Sequence, residues 1–183
     1  GVGDGPKFSS FDQARVLASS AAQPKPKSLI FSLTDRRHRC LTLGACMPYE
    51  LLDHTADLGL RIRAEALPEL YELAAAALCE QLVDAPPAGA VQTRRLSVSG
   101  EDWADLLINW LRELLACWHL EGQVATRAHC VDLSPHTLCA DVELLSFDPE
   151  THTPCQEIKA VTYHQLEVVP TDDGWQAIVI FDL

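Results

Sequence analysis

EIKAVTYHQLEVVPTDDGWQAIVIFDL, residues 157–183, reads as two β-strands around one turn, and the second strand ends on a carboxylate. Apolar and β-branched residues fill Ile158–Val169 and Trp175–Leu183. Between them, Pro170-Thr171-Asp172-Asp173-Gly174 has the composition of a hairpin turn. A second hairpin precedes it. Gly122–Leu133 and Leu138–Phe147 flank Ser134-Pro135-His136, and the polar run Asp148–Cys155 links the two hairpins.

Upstream the period changes. Trp103, Leu106, Leu107, Trp110, Leu111, Leu114, Leu115 and Trp118 recur at helical spacing and form one continuous apolar stripe. At eight positions this stripe reads as core packing rather than a membrane or partner face. Ser99 is a candidate cap for that helix, with Glu101 and Asp102 suited to the positive end of its dipole. Leu96 and Val98 mark a short strand before it. An earlier helix carries Leu67, Leu70, Tyr71, Ala74, Leu78 and Leu82, with Pro68 in its first turn, and stops at DAPPAGA, residues 84–90. Before that, Leu58, Leu60, Ile62 and Ala64 alternate with Gly59, Arg61 and Arg63, as in a strand with one wet face. Two helices among six or seven strands predict an α+β fold, the helices packed against a mixed, strongly curved β-sheet.

Residues 1–46 differ in character. They are rich in Gly, Ser, Pro and Lys, lack sustained periodicity and carry seven of the 14 basic residues against three of the 26 acidic ones, a sum of +4. They read as a disordered or non-native extension, with the chain's one methionine, Met47, opening a domain over 47–183. The rival is an organelle-targeting leader, which Asp4, Asp12 and Asp35 count against. Residues 47–183 sum to −16, with Lys159 their single lysine. Such a body repels nucleic-acid phosphate and suits a basic partner or metal ions. No apolar run reaches the ~20 residues of a membrane span. The seven cysteines form no CxxC pair and read as reduced thiols of a cytoplasmic protein.

Asp182 is the most informative residue. Burying an unpaired carboxylate costs several kcal/mol, which a cation would offset. Asp57, in His54-Thr55-Ala56-Asp57, stands at the start of another apolar strand. Alone, this segment suits an acid–base pair, a metal site or an Asx-type turn in which Asp57 bonds nearby amides. Two strand-end carboxylates from opposite ends of the sequence favour one hard-cation site for magnesium, manganese or calcium, with a main-chain oxygen of Leu183 available beside them. Zinc would call for His54 or a cysteine. On alternation, Ile158, Ala160, Thr162, His164, Leu166 and Val168 share one face, so Lys159 and His164 share a face only across a bulge. His164 suits a hydrogen-bonded core histidine better than a catalyst. Lys159 suits the phosphates of a nucleotide, a partner's carboxylate, or a surface pairing with Glu157 or Glu167. There is no glycine-rich phosphate loop and no nucleophile elbow.

Four blocks, HTADLG (54–59), LLINWLRELL (106–115), EIKAVTYH (157–164) and IVIFDL (178–183), together resemble the archease family, in the same order. The resemblance spans 47–183 and leaves 1–46 without a counterpart. It implies an α+β fold and a non-enzymatic role as protein cofactor of an RNA ligase of the RtcB type. That ligase guanylates its own histidine with GTP and divalent metal. It then joins a 2′,3′-cyclic phosphate or 3′-phosphate RNA end to a 5′-hydroxyl, as in tRNA splicing and RNA repair. By resemblance, Asp57, Asp182 and the main-chain oxygen of Leu183 hold the metal, and Lys159 is a functional candidate. Gln165 stands where the family commonly has glycine, and Leu183 where isoleucine is usual. The alternatives are a metal-dependent enzyme using Asp57 and Asp182 to activate water, with Lys159 stabilising an anion, and a chaperone-like modulator of RNA-modifying enzymes.

Overall fold

The computed structural model describes residues 49–52, 57–84 and 90–183. The extension assigned to residues 1–46, the start at Met47, and His54 lie outside these residues. The described elements are β1 (Tyr49–Leu52), β2 (Asp57–Ala64), α1 (Leu67–Leu82), β3 (Val91–Ser99), α2 (Trp103–Glu121), β4 (Gln123–Ser134), β5 (Thr137–Ser146), β6 (Ala160–Thr171) and β7 (Gly174–Asp182). The α+β class, both helices and both hairpins stand where the periodicities put them. β1 is an addition: its four residues are too few to show a period.

The strands form two antiparallel sheets rather than one mixed sheet, in the orders β1-β2-β7-β6 and β3-β5-β4. The reason lies in the connections. A parallel pair needs a crossover that returns to the same sheet. Here α1 passes the chain from the first sheet to the second, and α2 returns it to the second sheet, where β5 lies between β3 and β4 and pairs antiparallel with both, so neither crossover builds a parallel pair. The helices bridge the sheets, α1 against β2 and β4, α2 against β6 and β4. Between them lies one core containing Leu60, Ile62, Leu78, Trp110, Leu111, Val142 and Phe181. Its two large polar-tipped residues are satisfied. Trp110 Nε1 donates to Tyr71 O at 3.1 Å, and the Tyr71 hydroxyl donates to Trp103 O at 2.7 Å. Burial pushes the Tyr71 phenol far above its usual range.

Asp102, not Ser99, caps α2. Its carboxylate accepts from Asp105 N at 2.8 Å. Ser99 is still paired with Thr137 in the β3–β5 ladder and is not at the helix boundary. Gly122 closes α2 in the left-handed region, at φ 62°. The loop Asp148–Cys155 is more ordered than its polarity suggests. His152 is buried, and its Nδ1 accepts from Asp148 N at 2.9 Å. The five described cysteines are free thiols, with Cys79 and Cys117 buried. Burial pushes the Cys79 thiol up to about 12.

The regular alternation expected in β6 breaks. Thr162 faces Ile180, and the next paired residue, Glu167, faces Ile178. Residues 163–166 therefore stand out of register as a bulge, and Gln165 sits at φ 51°, where a non-glycine side chain is strained. His164 is thereby exposed, which corrects its assignment to the core. The glycine that the resemblance leads one to expect at position 165 would relieve this strain. A left-handed residue with a Cβ costs roughly 1–2 kcal/mol, against the roughly 0.5–1 kcal/mol of extra chain entropy that glycine gives up on folding. Gln165→Gly is therefore expected to raise stability by up to about 1 kcal/mol. Urea denaturation of the two proteins measures the difference.

Candidate metal and phosphate-facing site

The antiparallel pairing of β2 with β7 aligns Asp57 with Asp182 as direct partners. Apolar patterning enforces this register. Leu58, Leu60 and Ile62 face Phe181, Val179 and Ala177 on the core side of the sheet. A slip of one residue would turn one strand's core face outward. The carboxylates share the opposite face, and the Cβ atoms of directly opposed residues lie about 4.5–5.5 Å apart. Asp182 is exposed and Asp57 half-buried, so the burial cost considered from sequence does not arise; what remains is that like charges directly opposed disfavour a ladder. Among the described residues, no donor or cation meets either carboxylate, and Asp57 makes no Asx-type bond to a described amide.

β6 completes the cluster from the other edge of β7. Ala160 is the second cross-strand partner of Asp182, and Lys159 N donates to Asp182 O at 2.8 Å. The Lys159 ammonium reaches Leu183 O, also at 2.8 Å. It meets neither Glu157 nor Glu167, so the surface pairing considered from sequence is not formed. Asp57, Asp182, Leu183 and Lys159, drawn from both ends of the domain, therefore meet at one end of the first sheet.

The donor set fits a hard divalent cation. Two carboxylates and a main-chain oxygen are ligands such ions take, with water filling the remaining positions. Zinc is served less well. Its sequence candidate, His54, lies outside the described residues, and no described histidine or cysteine joins the two carboxylates in a group of three, as no further Asp or Glu does.

A second group of side chains adjoins this cluster and escaped the sequence reading. The Tyr163 hydroxyl donates to Asp105 Oδ1 at 2.6 Å. The Arg112 guanidinium lies 4.9 Å from the centre of the Tyr163 ring, and its Nη2 donates to Val161 O at 3.2 Å. His119 Nε2 lies 2.9 Å from Ile158 O, so that nitrogen carries the proton and donates. The signal was in the sequence: Asp105, Arg112 and His119 recur every seven residues, beside the apolar stripe. The Tyr163 hydroxyl, followed by the Glu101 amide, holds the Asp105 carboxyl below the usual carboxylate range. In return Asp105 raises the Tyr163 phenol.

The sequence pattern of the Archease protein family matches residues 49–183. The chain belongs to the archease family. It is 35% identical over 140 residues to Protein archease of Pyrococcus abyssi, covering 74% of this chain and 98% of the relative. Against Protein archease of Methanosarcina acetivorans the figures are 32% over 139 residues, 74% and 95%. The solution structure of a Methanobacterium thermoautotrophicum protein superposes with a TM-score of 0.61 at 30% identity, covering 75% of this chain and all of that one. The names of these relatives state a family and no reaction. No helix among the described residues is long and apolar enough to cross a membrane.

The Asp105–Tyr163 contact has a pH signature. A carboxyl whose folded pKa is depressed contributes stability above its unfolded pKa, near 3.9 for Asp, and the contribution is lost as pH falls through the lower folded value. Tyr163→Phe removes the largest cause of the depression. Carbon-detected NMR titration is expected to show the Asp105 midpoint moving up towards the ordinary range, with the midpoint of Asp141, held low by Arg95, unchanged.

Proposed function

We propose that this archease binds one divalent cation, calcium, magnesium or manganese, through Asp57, Asp182 and Leu183 O, and acts as a protein cofactor of an RtcB-type RNA ligase. It promotes guanylation of the ligase histidine and restores turnover, and the chemistry stays with the ligase. One observation carries the reading: two carboxylates that no described residue neutralises face each other across β2 and β7, with the lone lysine of residues 47–183 beside them. The family of the chain supports the choice of partner.

The chain's own residues divide the work. Asp57 and Asp182 hold the cation, whose charge offsets theirs, and a bound cation can neutralise phosphate oxygens of a nucleotide in the partner's site. Lys159 holds Leu183 O and presents an ammonium to the same end of the sheet, where it can meet phosphate as a point charge. The acidic remainder of the domain favours a partner with a basic nucleic-acid groove over RNA itself. The free thiols of the described cysteines suit action in a reducing compartment such as the cytoplasm.

The test reconstitutes the ligase from the same source with GTP, divalent metal and RNA bearing a 2′,3′-cyclic phosphate and a 5′-hydroxyl. The wild-type protein is expected to increase guanylated ligase and allow many turnovers. Asp57→Ala and Lys159→Ala are each expected to lower that stimulation by at least about tenfold, the scale of losing a charged contact, while circular dichroism stays unchanged. Ligated RNA from the protein without ligase would establish the metal-dependent enzyme instead. Equal stimulation of unrelated RNA-modifying enzymes would establish the chaperone-like modulator.

A further inference from the structure

Seven residues of α-helix fall about 20° short of two turns and advance about 10.5 Å. Three residues of extended chain advance about 10 Å. Arg112 and His119 are seven apart on α2, and the carbonyls they hold, Val161 O and Ile158 O, are three apart. The two spacings match, and α2 runs antiparallel to the segment it grips. One period earlier, Asp105 takes the Tyr163 hydroxyl. A polar stripe of α2 thus holds residues 158–163 at three points, and Lys159 lies between two of them.

The use of charge along this stripe is unlike the rest of the domain. Arg61, Arg63, Arg94, Arg95 and Arg127 each form an ion pair with a carboxylate. Arg112 forms none among the described residues and spends its guanidinium on a main-chain carbonyl and a tyrosine ring. His119 and Arg112 are both exposed, so neither is needed to fill the core.

We infer that Asp105, Arg112 and His119 are positioning residues that fix the path of residues 158–163 and thereby aim Lys159 at the Asp57, Asp182 and Leu183 cluster. They bind neither metal nor nucleotide. His119 donates through Nε2 to Ile158 O at 2.9 Å. Arg112 donates to Val161 O from a planar guanidinium whose donors are held in a rigid fork. The stripe is therefore a fixed mount. The consequence for ligase stimulation rests on the function proposed above, and the consequence for Lys159 does not.

The experiment uses the full chain with His119→Ala, Arg112→Ala, His119→Gln and, as reference, Lys159→Ala. Acylation of Lys159 by an N-hydroxysuccinimide ester is followed by peptide mass spectrometry, with Lys7, Lys25 and Lys27 as internal standards. His119→Ala and Arg112→Ala are each expected to raise the relative rate at Lys159 about fivefold, the population change that one lost hydrogen bond produces. Circular dichroism and calcium affinity by calorimetry are expected to stay as in the wild type. His119→Gln keeps an amide donor and is expected to restore most of the protection. Ligase stimulation is expected to fall in His119→Ala, and no further in His119→Ala/Lys159→Ala than in Lys159→Ala alone. Unchanged Lys159 acylation in both alanine variants overturns the mount. Full stimulation by Lys159→Ala overturns the functional reading, and acylation still decides the mount.

Discussion

The β2–β7 ladder is the constraint on which the site depends. It joins a strand from the start of the domain to the last strand, so it brings together residues 125 positions apart at Asp57 and Asp182. The core fixes its register: Leu58, Leu60 and Ile62 oppose Phe181, Val179 and Ala177. The same register that buries these side chains sets two carboxylates face to face where the ladder ends. The hydrophobic effect thus holds an electrostatically unfavourable pair in place. A cation is the natural counterweight, and Leu183 O and Lys159 stand beside the pair.

α2 completes the arrangement with two faces. Its apolar face, centred on Trp110, Leu111 and Leu114, lies in the core. Its polar stripe of Asp105, Arg112 and His119 meets residues 158–163. The bulge in β6 lets Tyr163 reach Asp105 with Gln165 at positive φ, and the sheet contacts on either side of residues 163–166 keep that conformation in place. Core packing, sheet register and the lysine's position are therefore coupled. The four sequence blocks that carried the resemblance come together here: two supply the carboxylates, one the lysine, and one lies in the helix that packs against β6.

Much of this was legible because it rests on periodicity. The helices, the two hairpins and the carboxylates at strand ends follow from patterns of apolar residues that water enforces on any chain. What was hidden depended on tertiary partners. His164 read as a core residue because alternation was extended through residues 163–166, where the sheet slips register. Ser99 read as a cap because serine suits that role, but its backbone was already committed to β5. The mixed sheet was an assumption about which strands become neighbours after each helix: β5 comes between β3 and β4, which composition does not encode. Asp105, Arg112 and His119 were visible as a seven-residue repeat, but exposed polar positions on a helix are ordinary until a partner segment is known.

Calorimetric titration of the folded protein with calcium tests the central claim most directly, with Asp57→Asn and Asp182→Asn beside the wild type. Each substitution keeps shape and removes one charge. The account predicts one cation per chain in the wild type and a weakening of at least about tenfold in each variant, because hard-cation affinity depends steeply on ligand charge. Equal affinity in all three well-folded proteins would contradict it, since the two carboxylates that the ladder brings together would then not be ligands.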